Sequence, residues 1–349
     1  MINNSFFSTV IIRWFCENGR DLPWRETRDP YAIWLSEIIL QQTRIAQGWE
    51  YWERFMQTYP KVEDLAAASE DDVLKLWQGL GYYSRARNLH TAAKQIVALG
   101  NFPNTLEGIK SLKGVGDYTA AAIGSFAFDI PAAVVDGNVY RVLSRYFGID
   151  TPINSTQGKK EFAALAQSLL PASDAASYNQ GMMDFGAIQC TPQSPKCLLC
   201  PLAETCEALR CGRVEELPVK NKTVKVKTRH LSYIYIRCKS SAADGAGNSE
   251  PMVAIHRRGE GDIWQGLWEP YNVSDVKELP SFVKNPILLA KDVKHVLTHR
   301  ILLADFYLLE TESCPQLPDD YIWIRESEIE DYGVPRLIEI MLEKINPAE

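Results

Sequence analysis

Four cysteines, Cys190, Cys197, Cys200 and Cys206, fall in one short stretch with the spacing C-x6-C-x2-C-x5-C, while Cys16, Cys211, Cys238 and Cys314 are scattered. Thiolates are soft ligands, and four in one compact loop point to a metal centre. A disulfide scaffold would be a shorter, more cysteine-dense secreted chain. Zinc sites usually show two separated C-x-x-C pairs, and only one close pair occurs here. A 4Fe–4S cluster takes four cysteine sulfurs and fits the segment, pinning the loop rather than carrying redox chemistry.

Two carboxylates stand in telling places. Glu37 lies in Trp34-Leu35-Ser36-Glu37-Ile38-Ile39-Leu40-Gln41-Gln42-Thr43. On a helical wheel Trp34, Leu35, Ile38, Ile39 and Gln42 form the apolar stripe, with Glu37, Gln41 and Arg44 on another face and Leu40 at its edge. Taken alone, the segment predicts a solvated glutamate. Asp136 follows the apolar run Ala133-Val134-Val135 and precedes a helical pattern, which predicts an N-cap. A capping carboxylate is rigid and stays ionised, as suits a group facing a developing cation.

A third feature, Leu112-Lys113-Gly114-Val115-Gly116-Asp117-Tyr118-Thr119-Ala120, joins a short helical stretch to an apolar helix. Gly114 and Gly116 allow a tight, partly left-handed turn and close backbone approach. The amides of the following helix N-terminus can then face a phosphate, which holds a duplex without reading its sequence. A plain helix–turn–helix would ask for the same glycines.

These pieces need elements to hold them, and the chain has room for two domains at 349 residues. From Phe6 to about Arg210 apolar residues recur at helical spacing, as in Val73–Trp77, Ala86–Leu99, Tyr118–Phe128, Val139–Phe147 and Phe162–Leu170. Val214–Arg229, with Lys220, Lys222, Lys225 and Lys227, reads as an exposed basic linker. Beyond it the period becomes two: Leu231–Cys238, Met252–Arg258 and Val293–Leu309 read as strands, Ser240–Ser249 as a turn and Val334–Ile345 as a closing helix. The predicted fold is a mainly α domain over 1–213, a linker over 214–229 and a small α+β domain over 230–349. The net charge of −7 hides an asymmetry: 25 basic against 24 acidic residues up to position 229, then 12 against 20. A polyanion should therefore meet the first part, through local basic groups. No apolar run could span a bilayer and no secretion signal opens the chain, so it is expected inside the cell.

Together these strings resemble the helix–hairpin–helix, iron–sulfur (endonuclease III-like) DNA glycosylases, and closely their MutY-type adenine glycosylase branch. The resemblance rests on LPWR (Leu22–Arg25), SEIILQQT (Ser36–Thr43), GLGYYSRARNLH (Gly79–His90), LKGVGDYTA (Leu112–Ala120), VDGNV (Val135–Val139), YNQGMMDFGA (Tyr178–Ala187) and the cysteine cluster. It implies a helix–hairpin–helix catalytic domain with one 4Fe–4S cluster and a Nudix-like C-terminal domain. Glu37 becomes the acid that protonates adenine at N7, and Asp136 the aspartate that stabilises the sugar oxocarbenium, with Tyr118 and Asn138 supporting the pair and the water. Glycoside hydrolysis sets the same demand for two carboxyls, one held protonated by burial and one charged.

The resemblance also implies an adenine pocket from Arg20, Leu22, Trp24 and Gln180, and residues inserted into the base stack, Gln42 and Tyr82, with help from Leu40. Gly114 and Gly116 would contact the DNA backbone. Bifunctional relatives carry a Schiff-base lysine where this chain has Tyr118, so the bond should be cut without strand cleavage. Gly261–Glu269 (GDIWQGLWE) fits the Nudix-like signature, but the glutamate-rich catalytic box is absent and no phosphohydrolase activity is expected. The family's Phe-Ser-His lesion loop reads Leu297-Thr298-His299 here, keeping a hydroxyl and an imidazole for 8-oxoguanine. The expected partner is duplex DNA with adenine opposite 8-oxoguanine or guanine, bound by a monomer in the bacterial cytoplasm or nucleoid. The competing readings are a bifunctional glycosylase/lyase and a non-enzymatic iron–sulfur DNA-binding protein.

Overall fold

A computed structural model describes residues 4–221, 226–239, 250–274 and 279–345. The chain divides into two compact units, one of Met1–Ala66 with Thr91–Lys222 and one of Ala67–His90 with Thr223–Glu349. Among the described residues no helix is long and apolar enough to cross a membrane.

The first unit is helical, and its core forms around the helix Gly137–Phe147. Val139, Val142, Leu143 and Tyr146 repeat at three- and four-residue spacing and pack on Phe7, Ile11 and Trp14 of Asn4–Asn18, Phe162 of Thr156–Leu169, and Tyr178 and Met182 of Ala175–Asp184. Asp136 caps its start by accepting from Val139 N, and Gly148 ends it at φ +71°. The hairpin before Asp117–Phe128 turns as the glycines predict: Gly114 is left-handed at φ +79°, while Gly116 is extended and serves as N-cap without a side-chain cap bond. The helix Pro30–Ile39 stops at Ile39, so the predicted stripe through Gln42 is cut short. Every residue from Tyr31 to Ile39 is buried, Glu37 included.

The expected exposed linker is not uniform. Leu217 is buried, its carbonyl accepts from Arg145 Nε at 3.0 Å, and Val219 O accepts from Ile153 N, so this end is fastened to the first unit. Lys227 to Arg229 already lie in the first strand. Lys222, Lys225 and the turn Ser240–Ser249 fall outside the described residues.

The second unit holds one sheet of β1 (Lys227–Cys238), β2 (Met252–Arg257), β3 (Trp268–Glu269), β4 (Tyr271–Asn272), β5 (Ile287–Val296), β6 (Arg300–Thr311) and β7 (Tyr321–Arg325). Its order is β3-β2-β1-β6-β5, with β4 on β1 and β7 on β2; β1 and β6 run parallel, the other pairs antiparallel. The stretch predicted as one strand, Val293–Leu309, is two strands folded back at Leu297–His299. The helix Arg336–Ile345 covers one face through Leu337, Ile338 and Met341 against Tyr233, Tyr235 and Phe306. Residues 67–90 belong to this unit because their polar groups are met there. Arg257 Nη2 donates to Glu70 at 2.9 Å, Lys75 Nζ donates to Tyr332 O at 3.3 Å, and Gln78 bonds Glu339.

Candidate active site

Three helix ends converge on one cavity of about 590 Å³ in the first unit. Its lining includes Glu37, Leu40 and Gln42 from the end of Pro30–Ile39, Tyr118 from the hairpin helix, Asp136 and Asn138 from the capped helix, and Arg20. A smaller adjoining pocket shares Arg20, Glu37 and Leu40 and adds Leu22, Trp24 and Gln180. The residues expected to do chemistry and those expected to hold a base therefore line neighbouring pockets that share Arg20, Glu37 and Leu40. A shallow cleft on Thr156–Leu169 is larger, but its lining of Thr151, Thr156, Gln157, Lys160 and Glu161 has no buried ionisable group.

Glu37 is the candidate acid, and it is buried. Burial pushes its carboxyl up to about 7; a hydrogen bond with Tyr118 and the nearby Arg25 work against the rise, and the Asp136 charge adds to it. A carboxyl at about 7 keeps a transferable proton at neutral pH. Burial and the Glu37 charge likewise hold the Tyr118 phenol well above its usual range. It stays neutral there.

Asp136 differs in its partners. Val139 N donates to it at 2.8 Å and Asn138 Nδ2 at 2.7 Å. Burial raises its pKa from the ordinary aspartate value, and these bonds with Arg141 oppose the rise. Both carboxyls are thus shifted upward, whereas the sequence reading expected only Glu37 to be. Their partners differ: Asp136 accepts from two N–H groups, whereas Glu37 has the Tyr118 hydroxyl.

Two supporting residues went unnoticed in the sequence. Arg141 Nη2 donates to Asn138 Oδ1 at 2.8 Å and its Nε to Cys190 O at 2.7 Å, tying the Asp136 partner to the cysteine loop. Asp184 is fully buried and accepts from both terminal nitrogens of Arg25 at 2.8 Å and from Arg20 N and Nε at 2.9 and 3.0 Å. Burial works against its charge, yet these arginines hold its carboxyl below the usual range. A lone aspartate after two methionines was the available signal, since a buried carboxylate must find a cation. Asp184→Asn should cost about 3 kcal/mol by leaving two cations uncompensated. A lowered denaturant midpoint with weakened base release checks this, because Arg20 lines both pockets.

The candidate stacking residues share a backbone feature. Gln42 and Tyr82 are exposed and both sit in the left-handed region, at φ 59° and φ 48°. Such strain in non-glycine residues collects at functional sites. Trp24 is buried, edge-on to Trp49 and Trp52, and forms a rigid wall. In the second unit Leu297 packs inward on the core, which leaves Thr298 and His299 exposed at the turn, with Thr298 hydrogen-bonded to the Tyr82 hydroxyl.

The four cysteines of the cluster motif form no disulfide and line one small cavity, without any other side chain of metal-binding type. Arg145 Nη1 donates to Cys190 Sγ at 3.4 Å and to Thr191 O at 2.7 Å, which sets a guanidinium beside the four sulfurs. Among the described residues no trio of His, Cys, Asp or Glu is arranged to hold a single metal ion. An all-sulfur donor set around a shared cavity, with a charge-compensating arginine, fits a 4Fe–4S cluster. Bound there, the cluster would supply rigidity to the loop that ends at Cys206.

A helical unit with a glycine hairpin, a buried acid facing a capped aspartate and a four-cysteine loop defines the class, a DNA glycosylase of base excision. Residues 35–171 match the HhH-GPD superfamily of base excision DNA repair proteins, residues 190–206 the iron–sulfur binding domain of endonuclease III, and residues 247–344 the NUDIX domain. The chain is 31% identical to the adenine DNA glycosylase of Buchnera aphidicola subsp. Schizaphis graminum over 97% of its own length and 98% of that protein. It is 42% identical to the adenine DNA glycosylase of Mus musculus over 61% of its length, spanning 44% of that longer relative. Among solved structures, a thermostable thymine-DNA glycosylase superposes with a TM-score of 0.56 at 34% identity, covering 60% of this chain and 97% of the other. The chain belongs to the adenine DNA glycosylase family.

Proposed function

We propose that the protein excises adenine paired with 8-oxoguanine or guanine in duplex DNA, and that it cuts the glycosidic bond only. The observation that carries this reading is the buried Glu37, its carboxyl pushed up to about 7, lining one cavity with Asp136. Neutral adenine is a poor leaving group, so Glu37 gives its proton to N7 as the bond to the sugar breaks. Asp136 faces the cation left on the sugar. Water held near Asn138 adds to that carbon, and its proton returns to the Glu37 carboxylate, leaving free adenine and an abasic site. Arg20, Leu22, Trp24 and Gln180 hold the flipped base; Gln42 and Tyr82, with Leu40, fill the gap it leaves. Gly114 and Gly116 bring backbone amides to a phosphate. Thr298 and His299 read the oxidised guanine. The protein works as a monomer in the bacterial cytoplasm.

A lyase needs an amine at the sugar. The residues lining both pockets include arginines but no lysine, and Tyr118 stands at the hairpin position. The test is single-turnover base release on two matched duplexes, one with 8-oxoguanine and one with guanine opposite adenine, with borohydride added in parallel. Faster release of adenine opposite 8-oxoguanine, with no trapped protein–DNA adduct, is expected. A trapped adduct would make the enzyme bifunctional, and equal rates would remove the lesion preference.

A further inference from the structure

The loop Gly261–Gly266 is built more tightly than a surface connection needs. Three of its six residues, Gly261, Trp264 and Gly266, are left-handed, at φ 84°, 61° and 84°. Such a conformation persists in a tryptophan only where its surroundings over-determine it. They do so here. The Asp262 carboxylate accepts from Arg229 Nη1 with both oxygens at 2.7 Å and from Arg258 Nη2 at 2.7 Å, and it lies 3.5 Å from Arg300 Nη1. Arg300 opens β6 directly after His299, and Lys227 of the neighbouring β1 donates its N–H to His299 O at 3.2 Å. The Trp264 ring lies 5.9 Å from that of His295 on β5, just before the same turn. One short loop thus grips both strands of the Leu297–His299 hairpin.

The same loop also holds the segment that carries Tyr82. Arg87 Nη1 donates to Gln265 O at 2.5 Å, and a Cβ at Gly266 would meet Leu74 Cδ1 at 3.1 Å. Tyr82 in turn reaches Thr298 through its hydroxyl. The contacts close a ring: loop to hairpin, hairpin to Tyr82, Tyr82 segment back to loop. Charge-assisted bonds to Asp262 are its strongest and most geometrically specific links.

We propose that Asp262 is a positioning residue for lesion discrimination, fixing the hairpin turn and the Tyr82 segment in one register so that Thr298 meets the base opposite adenine. This rests on the reading that Thr298 contacts that base. It assigns a role to a carboxylate whose charged partners are three arginines, and it locates the origin of selectivity in loop rigidity as well as in the turn itself.

The test uses the full-length holoenzyme and the ratio of single-turnover rates on matched adenine:8-oxoguanine and adenine:guanine duplexes. Asp262→Asn keeps the side-chain shape and weakens all three arginine contacts. It should lower the ratio by about fivefold or more while the adenine:guanine rate stays within about twofold of the parent. Thr298→Ala should lower the ratio as well, and the double variant should fall no further, since both act through one contact. Asp262→Glu should restore part of the ratio. An unchanged ratio in Asp262→Asn, or a parallel fall on both duplexes, would overturn the inference while Thr298→Ala still lowers the ratio. An unchanged ratio in Thr298→Ala would overturn the lesion contact itself.

Discussion

Replacing Glu37 with glutamine should lower single-turnover base release by between about 10² and 10⁴, the range a positioned general acid contributes. Duplex binding should survive, because glutamine keeps the shape that packs inside Tyr31–Ile39. The same variant carries a second, opposite signature. The pKa of Glu37 rises from 4.5 to about 7 on folding, so between these values the folded chain holds a proton that the unfolded chain has lost. Stability linked to this group is therefore greatest below the lower value and falls as pH climbs through the upper one. Glutamine cannot ionise and escapes the loss. Glu37→Gln should thus be more stable than the parent above pH 7, by up to about 3 kcal/mol, and nearly equal to it at low pH. Thermal melts across pH read this directly. A variant that loses both activity and high-pH stability would place Glu37 in a purely structural role.

Asp136→Asn should cost at least about 10²-fold in base release, as expected when a preorganised group facing developing charge is removed. Folding should change little. Asparagine caps helices as well as aspartate does, and its amide oxygen can still accept from Val139 N. What changes is the charge, and the Asn138 amide then meets an amide instead of a carboxylate, at a cost of about 1 kcal/mol. A large rate loss with a small change in melting temperature separates catalysis from capping. Equal losses of both would reduce Asp136 to its cap.

The sequence carried the local chemistry well. Cysteine spacing, a glycine hairpin and an aspartate before a helix are short-range patterns, and each lies where its residues predicted. The burial of Glu37 was not legible from the wheel, because neighbouring helices close over the polar face of Pro30–Ile39 as well as the apolar one. Asp184 meets Arg20 across 164 positions, and no local pattern encodes such a pairing. The placement of residues 67–90 with the C-terminal sheet is likewise long-range, settled by partners such as Tyr332 and Glu339. The upward shift at Asp136 was missed because its hydrogen bonds are local while the burial that opposes them comes from the whole fold.

The most direct test of the acid at position 37 is the pH dependence of single-turnover adenine release by the unmodified protein. The rate should hold on the acidic side and fall about tenfold per pH unit above about 7, as the Glu37 proton is lost. That fall should vanish from the residual activity of Glu37→Gln. A rate that stays level to pH 9, or a fall that persists in the variant, would contradict the assignment.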